Sequence, residues 1–192
     1  RKRSFADCKI GYFLKMGPDR NSSRDRRLTR IYDSPVGPLW ITADEEGITR
    51  LAFSEEEGSD KGSSLRIQSI LEKTIGELDE YFAGRRSFFD IPLHIIRGTP
   101  FQRRIWRVLQ EDIPYGETVS YAQEAALAGR PRACRAAANA NHLNPIAIII
   151  PCHRVIAAGG KIGGYGAGIE KKRFLLDLES GRSHQWISTV SE

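Results

Sequence analysis

The sequence predicts a small α/β domain over residues 28–97, followed by a mainly α-helical domain over residues 98–182 that contains a helix-turn-helix. Strand-like segments between turn residues come first and lead into one long amphipathic segment. The second region opens with a helix-capping signal and continues with two short helical segments across a glycine. A chain of 192 residues with 40% hydrophobic composition is long enough for one large or two small domains. A basic segment, 1–27, and a tail, 183–192, flank the two domains.

The first domain is predicted to begin with three strands, which turn signals at residues 33–35 and 44–47 separate. The strands are Leu28–Tyr32, Val36–Thr42 and Ile48–Phe53. An acidic loop rich in glycine and serine, residues 55–64, precedes a predicted helix. The apolar residues of this helix recur at the helical period and mark one buried face: Ile67, Ile70, Leu71, Ile75, Leu78, Tyr81 and Phe82.

The second domain is predicted to open with a helix that Thr99 caps and Pro100 begins. Its buried face comprises Phe101, Ile105, Trp106, Val108 and Leu109. The elements that follow are a helix Val119–Leu127, a helix Pro131–Ala140, a strand Ile146–Ile150, a glycine-rich loop 159–168 and a helix Ile169–Glu179. The two short helices meet at Gly129 and Arg130, which is typical of a helix-turn-helix, although ordinary helix packing gives the same pattern.

Composition narrows the class of protein. No apolar run approaches the ~18 residues of a membrane helix, and no apolar segment follows the basic N-terminus as it would in a secretory signal. The three cysteines, Cys8, Cys134 and Cys152, suggest no disulfide framework, so we expect a reducing compartment, the cytoplasm or the nucleus. No CxxC or HxxxH spacing occurs in the sequence, and no metal site is predicted. The chain begins at Arg1 rather than Met, which leaves open a fragment of a longer protein.

The net charge of +5 conceals a division along the chain. Residues 1–30 carry +7, residues 31–96 carry −7 and residues 97–182 carry +6. Basic surface attracts the phosphate backbone of nucleic acids through counterion release. A basic stretch is equally typical of an ordinary solvated surface. The charge pattern is therefore compatible with nucleic-acid binding by the second domain and does not establish it.

The segment with the strongest chemical signal is Pro151-Cys152-His153-Arg154-Val155, directly after the apolar run of the predicted strand. The thiolate is the nucleophilic form of cysteine, and a free thiol with a pKa of about 8.5 needs help to ionise near neutral pH. A neighbouring imidazole supplies such help. One alternative is an inert buried cysteine, which is common in protein cores. Another is a cysteine hydrolase, although the cysteine and histidine of such enzymes are rarely adjacent in sequence.

The cysteine segment and its surroundings closely resemble the O6-alkylguanine-DNA alkyltransferase family, almost without gaps from Gly98 to Glu179. The shared motifs are Thr99-Pro100-Phe101-Gln102, Gly116-Glu117-Thr118-Val119-Ser120-Tyr121, Arg135-Ala136, Asn144-Pro145, Pro151–Val155 and Gly163-Gly164-Tyr165, with Ser34-Pro35-Val36-Gly37 upstream. The resemblance implies a ribonuclease-H-like N-terminal domain and a winged-helix-like C-terminal domain. It implies DNA repair by stoichiometric, single-turnover transfer of a methyl or other alkyl group from O6-alkylguanine in duplex DNA, and it leaves open O4-alkylthymine as a further lesion.

By that resemblance Cys152 is the nucleophile and the permanent acceptor of the alkyl group. His153 takes the thiol proton through a water, and Glu179 orients the imidazole and balances its charge. This is the arrangement of nucleophile, base and orienting group, applied to a thiol. Tyr121 donates to the purine as negative charge develops on the departing guanine. We expect no cofactor, no metal and no membrane association. Because the family needs no partner subunit, we also expect a monomeric protein.

The resemblance also implies how the protein binds double-stranded DNA. The damaged nucleotide is flipped out of the duplex into a pocket, where backbone carbonyls near Cys152 and Val155 accept from the exocyclic amine and Tyr165 forms part of the wall. Arg135 fills the vacated stack from a helix in the minor groove, and Asn144 ties that helix to the cysteine turn by hydrogen bonds. Further residues assigned to this surface are Ser120, Ala133, Ala136 and Ala137.

Two alternatives within the resemblance stay open. A non-repairing alkyltransferase-like protein binds the lesion but lacks the acceptor cysteine, which this sequence has at Cys152. A methylation-sensing regulator carries the repair unit as one half of a longer chain, and the basic N-terminal segment is compatible with that. The sequence also departs from the family pattern at Cys134, where a small or aliphatic residue is usual.

Overall fold

The computed structural model describes residues 26–54 and 63–181. Apart from its last two residues, the predicted basic segment 1–27 lies outside the described residues. The same is true of the predicted tail 183–192 and of most of the acidic loop 55–64.

The first domain is built on a three-stranded antiparallel sheet with the order β1-β2-β3. The strands are β1 Leu28–Ser34, β2 Gly37–Ala43 and β3 Ile48–Ala52. Because side chains alternate along a strand, Leu39, Ile41 and Ala43 of β2 all point to the same face and are completely buried. The three predicted strands are confirmed, with ends that differ by one or two residues.

Helix α1, Leu65–Phe82, covers this sheet. Its first turn is capped by the Ser64 hydroxyl, which accepts a hydrogen bond from the backbone N–H of Ile67 at 3.2 Å. The predicted apolar face is confirmed: the residues at the helical period are buried, except Ile75 and Phe82, which are partly buried against the same core.

The second domain is mainly helical, as predicted. Its elements are α2 Pro100–Glu111, β4 Val119–Ser120, α3 Tyr121–Leu127, α4 Cys134–His142, β5 Val155–Ile156 and α5 Ile169–Glu179. Thr99 and Gln102 form a reciprocal capping box at the start of α2, which confirms the predicted helix start. Strands β4 and β5 form a short parallel pair. Helices α3 and α4 pack against each other, separated by residues 128–133.

Both short helices begin later than predicted. The first begins at Tyr121 rather than Val119, because the Ser120 side chain accepts from the backbone N–H of Gln123 and caps the helix. The second begins at Cys134 rather than Pro131 and continues to His142. The Ser120 cap and the pairing of β4 decide the first boundary, whereas no side-chain hydrogen bond caps the second helix.

The predicted strand Ile146–Ile150 is wrong. The segment folds into a tight turn in which the Ile150 N–H donates to the Ile146 carbonyl at 2.9 Å. Ile148 has a φ of +71°, which a β-branched residue rarely adopts. Ile146, Ile148 and Ile150 are at most 1% exposed. A short apolar run indicates that a segment is buried. Burial alone does not distinguish a strand from a buried turn.

One continuous apolar core joins the two domains. At their boundary the Leu51 N–H of β3 donates to the Pro145 carbonyl at 3.0 Å, and the Ala147 N–H donates to the Leu51 carbonyl at 2.9 Å. The edge strand of the first sheet therefore holds the loop that precedes the cysteine. Within residues 26–54 and 63–181, no helix is long and apolar enough to span a membrane.

The junction before α2 requires glycine at position 98. Gly98 has a φ of +104°, and a Cβ there would lie 2.5 Å from the Trp106 ring. We expect Gly98→Ala to lower the free energy of unfolding by about 2–4 kcal/mol in urea denaturation. Gly84→Ala is the matched control: its φ is +70° with nothing within 4 Å of the added Cβ, so it should cost about 1 kcal/mol. Equal losses in the two variants would contradict the role of the Trp106 contact.

Candidate active site

Cys152 begins a 3₁₀ turn, Cys152–Arg154, that follows the tight isoleucine turn and leads directly into β5. Its side chain is buried, with 8% of the residue exposed. Pro151 precedes it, and the Cys152 N–H donates to the Ile150 carbonyl at 2.8 Å. The thiol position is therefore fixed by backbone turns on both sides.

Asn144 holds the thiol in place. Its amide nitrogen donates to the Ile150 carbonyl at 2.7 Å and to the Cys152 sulfur at 3.1 Å. Its amide oxygen accepts from the Ile146 N–H at 3.0 Å. Because one donor contact is made to sulfur, this amide stabilises a thiolate more than a thiol.

The resting thiol is nevertheless protonated at neutral pH. Burial raises the pKa of Cys152 to about 11, against the opposing hydrogen bond from Asn144 and the positive charge of Lys172. Lys172 is completely buried, and its ammonium donates to the Val155 carbonyl at 2.7 Å and to the Gly164 carbonyl at 3.2 Å. Burial lowers the pKa of Lys172, while Cys152 opposes that shift. Ionisation of the thiol therefore requires a base at the site.

The Glu179 carboxylate, at the end of α5, is the centre of a buried network. It accepts from His153 Nε2 at 2.8 Å and from Arg154 Nε at 2.8 Å. It also accepts from the Tyr81 hydroxyl at 2.8 Å and from the Gly116 N–H at 3.2 Å. Tyr81 belongs to α1, so the network connects the two domains.

These contacts determine the charges of Glu179 and His153. Burial alone would raise the pKa of Glu179, but hydrogen bonds from His153 and Arg154 and the positive charge of Arg154 hold it at about 2. Burial lowers the pKa of His153, and the Glu179 carboxylate only partly opposes that shift. His153 is therefore neutral at pH 7. Its Nε2 proton is directed to Glu179, which leaves Nδ1 as the basic nitrogen, and this Nδ1 is buried without a hydrogen-bond partner.

A cavity of about 800 Å³ opens beside the thiol. Cys152, Tyr121, Asn144 and Tyr165 contribute to its wall. Tyr121 is the first residue of α3, and burial raises its pKa, with smaller contributions from Glu124 and Cys152. The Tyr165 hydroxyl is buried without a partner, and its ring meets Phe53 edge to face. The volume is within the range of small-molecule sites.

The residues that the resemblance assigns to DNA binding differ in their location and exposure. Arg135 and Ala136 are exposed on α4, and Ala133 is half-buried just before it. Ser120 is half-buried, and its hydroxyl is used in the cap of α3. Ala137, which the sequence suggested for the same surface, is completely buried in the core instead. It faces inward because it lies two residues beyond Arg135 on a helix.

Three residues of the site carry no assigned role in the sequence interpretation: Tyr81, Arg154 and Lys172. The sequence identified Tyr81 only as a residue of an amphipathic helix. Its hydroxyl contacts Glu179, which lies 98 positions further along the chain. Arg154 lies within the cysteine segment itself, where adjacency to His153 was the available signal. Lys172 gave no signal, since helix lysines are mostly exposed. Among residues 26–54 and 63–181, no His, Cys, Asp and Glu group could hold a metal ion.

Comparison with known families covers both domains. Residues 28–95 match the model described as "6-O-methylguanine DNA methyltransferase, ribonuclease-like domain". Residues 100–181 match the model described as "6-O-methylguanine DNA methyltransferase, DNA binding domain". The two matches together cover most of the chain.

Individual relatives are similar over nearly their whole length. The methylated-DNA–protein-cysteine methyltransferase of Methanosarcina acetivorans is 44% identical over 153 residues, which is 78% of this chain and 96% of the relative. The protein of the same name from Mycobacterium bovis is 44% identical over 80% of this chain and 93% of its own. The crystal structure of Mycobacterium tuberculosis OGT in complex with DNA has a TM-score of 0.71 and 44% identity, covering 81% of this chain and 94% of that chain.

The low pKa of Glu179 predicts that the folded protein loses stability in acid. Its folded pKa of about 2 lies below its ordinary value of 4.5, so the ionised form stabilises the fold above pH 4.5. That stability, about 3 kcal/mol, should disappear as the pH falls from 4.5 to 2. We expect Glu179→Gln to be less stable than wild type at pH 7 by about 3–5 kcal/mol and to lack this acid-dependent loss.

Chemical denaturation across pH 2–7 measures both effects. Asp177→Asn, on the half-buried carboxyl two residues before Glu179, is the matched control and should keep the wild-type pH dependence. A Glu179→Gln protein that lost stability between pH 4.5 and 2 as steeply as wild type would contradict the assignment.

Proposed function

This chain belongs to the 6-O-methylguanine DNA methyltransferase family, and from that premise we propose how its residues perform the repair reaction. The protein is a methylated-DNA–protein-cysteine methyltransferase that repairs DNA by alkyl transfer to a cysteine. We propose Cys152 as the acceptor. The observation that carries the proposal is the position of its thiol, in the wall of an 800 Å³ cavity and next in sequence to the His153–Glu179 pair.

The reaction is a displacement at the alkyl carbon. The Cys152 sulfur forms a bond to that carbon as the carbon–O6 bond breaks, and guanine leaves with the electron pair. A thioether is not hydrolysed, so each protein reacts once and no further step regenerates the thiol. This stoichiometry makes the protein a reactant as much as a catalyst.

His153 acts as the base for the thiol. The pKa of Cys152 is about 11 because of burial, so very little thiolate exists at pH 7 without proton transfer. His153 Nδ1 is the nitrogen with a free lone pair, since Nε2 is directed to Glu179. The carboxylate stabilises the imidazolium that forms, and Arg154 keeps that carboxylate ionised.

The leaving group is stabilised by other residues of the cavity wall. Tyr121 donates to guanine as negative charge develops on the ring, and its raised pKa keeps the phenol protonated until then. Tyr165 contributes an aromatic wall. The carbonyl of Val155 already accepts from Lys172 and retains a second lone pair for the exocyclic amine.

DNA binding uses the basic second domain. We propose that α3 and α4 form a helix-turn-helix within a winged-helix-like unit, with α4 in the minor groove. Arg135, exposed at the second position of α4, fills the space of the flipped nucleotide. Ala133 and Ala136 allow close approach of the helix to the duplex. Ser120 contributes by capping α3 and so fixing Tyr121.

The remaining proposals concern the whole molecule. We propose a ribonuclease-H-like domain over residues 28–97 and a DNA-binding domain over residues 98–182. The protein acts as a monomer without a cofactor, because every residue assigned to the reaction is supplied by this chain. A reducing compartment, the cytoplasm or the nucleus, keeps the acceptor thiol available.

Intact-mass analysis tests the acceptor. After incubation with a duplex that carries one O6-methylguanine, wild type should gain one methylene, saturating at one per protein, on the peptide that contains Cys152. Cys152→Ser should bind the duplex without a mass change. Cys134→Ser is the matched control and should react as wild type does. Methylation of another residue, or binding by wild type without any mass change, would overturn the assignment.

Comparison of duplex and single-stranded substrates tests nucleotide flipping. We expect Arg135→Ala to slow single-turnover transfer from duplex by roughly tenfold or more, because unstacking costs a few kcal/mol that the arginine helps to offset. Transfer from a single-stranded oligonucleotide should change little, since no base pair is opened. Arg132→Ala, on an exposed arginine before α4, controls for loss of charge alone. Equal slowing on both substrates by Arg135→Ala would argue against a role in flipping.

A further inference from the structure

Glu124 is a carboxyl group in a position where carboxylates are rarely found. It lies one turn after Tyr121 in α3 and is completely buried, with 0% of the residue exposed. Its one described hydrogen bond comes from Asn141 of α4, whose amide nitrogen donates to Glu124 Oε2 at 2.9 Å. A buried carboxylate with a single neutral donor is strongly destabilising, because burial removes water without supplying a counter-charge.

Two buried acceptor atoms in this pair have no partner. They are the second carboxyl oxygen of Glu124, Oε1, and the amide oxygen of Asn141, Oδ1. Both belong to groups already joined by the Asn141–Glu124 hydrogen bond. Two unpaired acceptors on adjoining groups need one donor between them. A single proton on Glu124 Oε1 supplies it, since a carboxylic acid and a primary amide can pair reciprocally through two hydrogen bonds.

We infer that Glu124 is held as a neutral carboxylic acid in a reciprocal pair with Asn141, and that this pair is a positioning device for the alkyl-transfer site. The carboxyl O–H donates to Asn141 Oδ1 while the amide N–H donates to Glu124 Oε2, so all four polar atoms are satisfied. The pair links α3, which begins with Tyr121, to α4, which carries Arg135. It therefore couples the helix that donates to the base to the helix proposed to enter the DNA.

Keeping this carboxyl neutral also protects the chemistry at Cys152. An ionised Glu124 raises the pKa of both Cys152 and Tyr121 through charge repulsion. Negative charge there disfavours the thiolate that attacks the alkyl carbon. The inference rests on the proposed transfer to Cys152, and it adds a residue that controls how readily the thiol ionises.

The surroundings of Glu124 contain no compensating cation among the described residues that shift its pKa. From α2 the residues buried against the neighbouring helices are Ile105, Trp106, Val108 and Leu109, while Arg103, Arg104 and Arg107 are exposed. On α4, Arg135 and His142 are also exposed. The titratable groups that respond to Glu124 are Tyr121 on its own helix and Cys152 before β5. Burial raises the pKa of Glu124 from 4.5 to about 8, and only the Asn141 hydrogen bond opposes this.

The sign of the pH dependence follows from that shift. Between pH 4.5 and about 8 the unfolded chain loses the Glu124 proton while the folded protein keeps it. Wild type therefore loses stability relative to Glu124→Gln as the pH rises through this window, by up to roughly tenfold in the unfolding equilibrium constant per pH unit. Above pH 8 the folded protein carries the buried charge, and transfer to Cys152 is slowed.

Single-turnover transfer from a duplex with one O6-methylguanine, followed from pH 6 to 9.5, tests the effect on the site. Glu124→Gln keeps a neutral amide that can pair with Asn141 but cannot ionise. The ratio of its rate to that of wild type should rise above pH 8, reaching roughly threefold or more at pH 9.5. Glu111→Gln, on an exposed carboxylate at the end of α2, should give a ratio that does not depend on pH. A constant ratio for Glu124→Gln would overturn the proposed effect on Cys152.

Infrared titration tests the protonated carboxyl without relying on activity. The difference between wild type and Glu124→Gln should contain the carbonyl stretch of a carboxylic acid at pH 7, and this band should disappear around pH 8. Its absence at pH 7 would show an ionised Glu124 and overturn the reciprocal pair. If Glu124→Gln does not fold, the infrared titration of wild type alone is the test. The carboxylic-acid band should then be present at pH 7 and disappear around pH 8. If neither protein transfers the methyl group at any pH, the proposed function fails, while the infrared result still decides the state of Glu124.

Discussion

The buried Glu179 carboxylate is the group on which the arrangement of this protein depends. Four residues from three separate parts of the chain donate hydrogen bonds to it: Tyr81, Gly116, and the adjacent residues His153 and Arg154. A carboxylate can be buried only when donors and a counter-charge replace water, and here Arg154 supplies the counter-charge. This network therefore fixes the His153 imidazole and joins the two domains.

The site keeps the thiol of Cys152, the proposed nucleophile, protonated until the reaction begins. A thiolate is the form that oxidants and stray alkylating agents attack, and a protein that reacts only once is lost by any such reaction. Burial raises the pKa of Cys152 to about 11, which suppresses these side reactions. Asn144 and Lys172 are placed so that the thiolate is stabilised once it forms. Burial thus favours a resting state in which Cys152 is protonated and His153 is neutral.

Local signals predicted the parts of the fold that depend on local chemistry. The capping residue Thr99, the apolar face of α1 and the three strands needed only spacing and turn residues. The isoleucine run before Cys152 was predicted wrongly as a strand, because apolar composition reports burial and not backbone shape. The motif located the thiol and His153, but contacts such as Tyr81 with Glu179 join residues 98 positions apart. No local pattern encodes these. The burial of Glu124 also could not be predicted from the sequence, since a glutamate in a helix is ordinarily exposed.

The first domain has a physical role in the proposed reaction, although none of the proposed reacting groups belongs to it. Ile148, four residues before the thiol, has a φ of +71°, and such a backbone costs of order 1–3 kcal/mol for a non-glycine residue. The strain persists because neighbouring contacts hold the loop: the Leu51 backbone of β3 bonds to Pro145 and Ala147 on one side, and Asn144 bonds to Ile146 and Ile150 on the other. The edge strand thus acts as a clamp on the turn that presents Cys152. Loosening that clamp would let the turn relax and move the sulfur out of line with the alkyl carbon, where displacement is sensitive to shifts of about 1 Å.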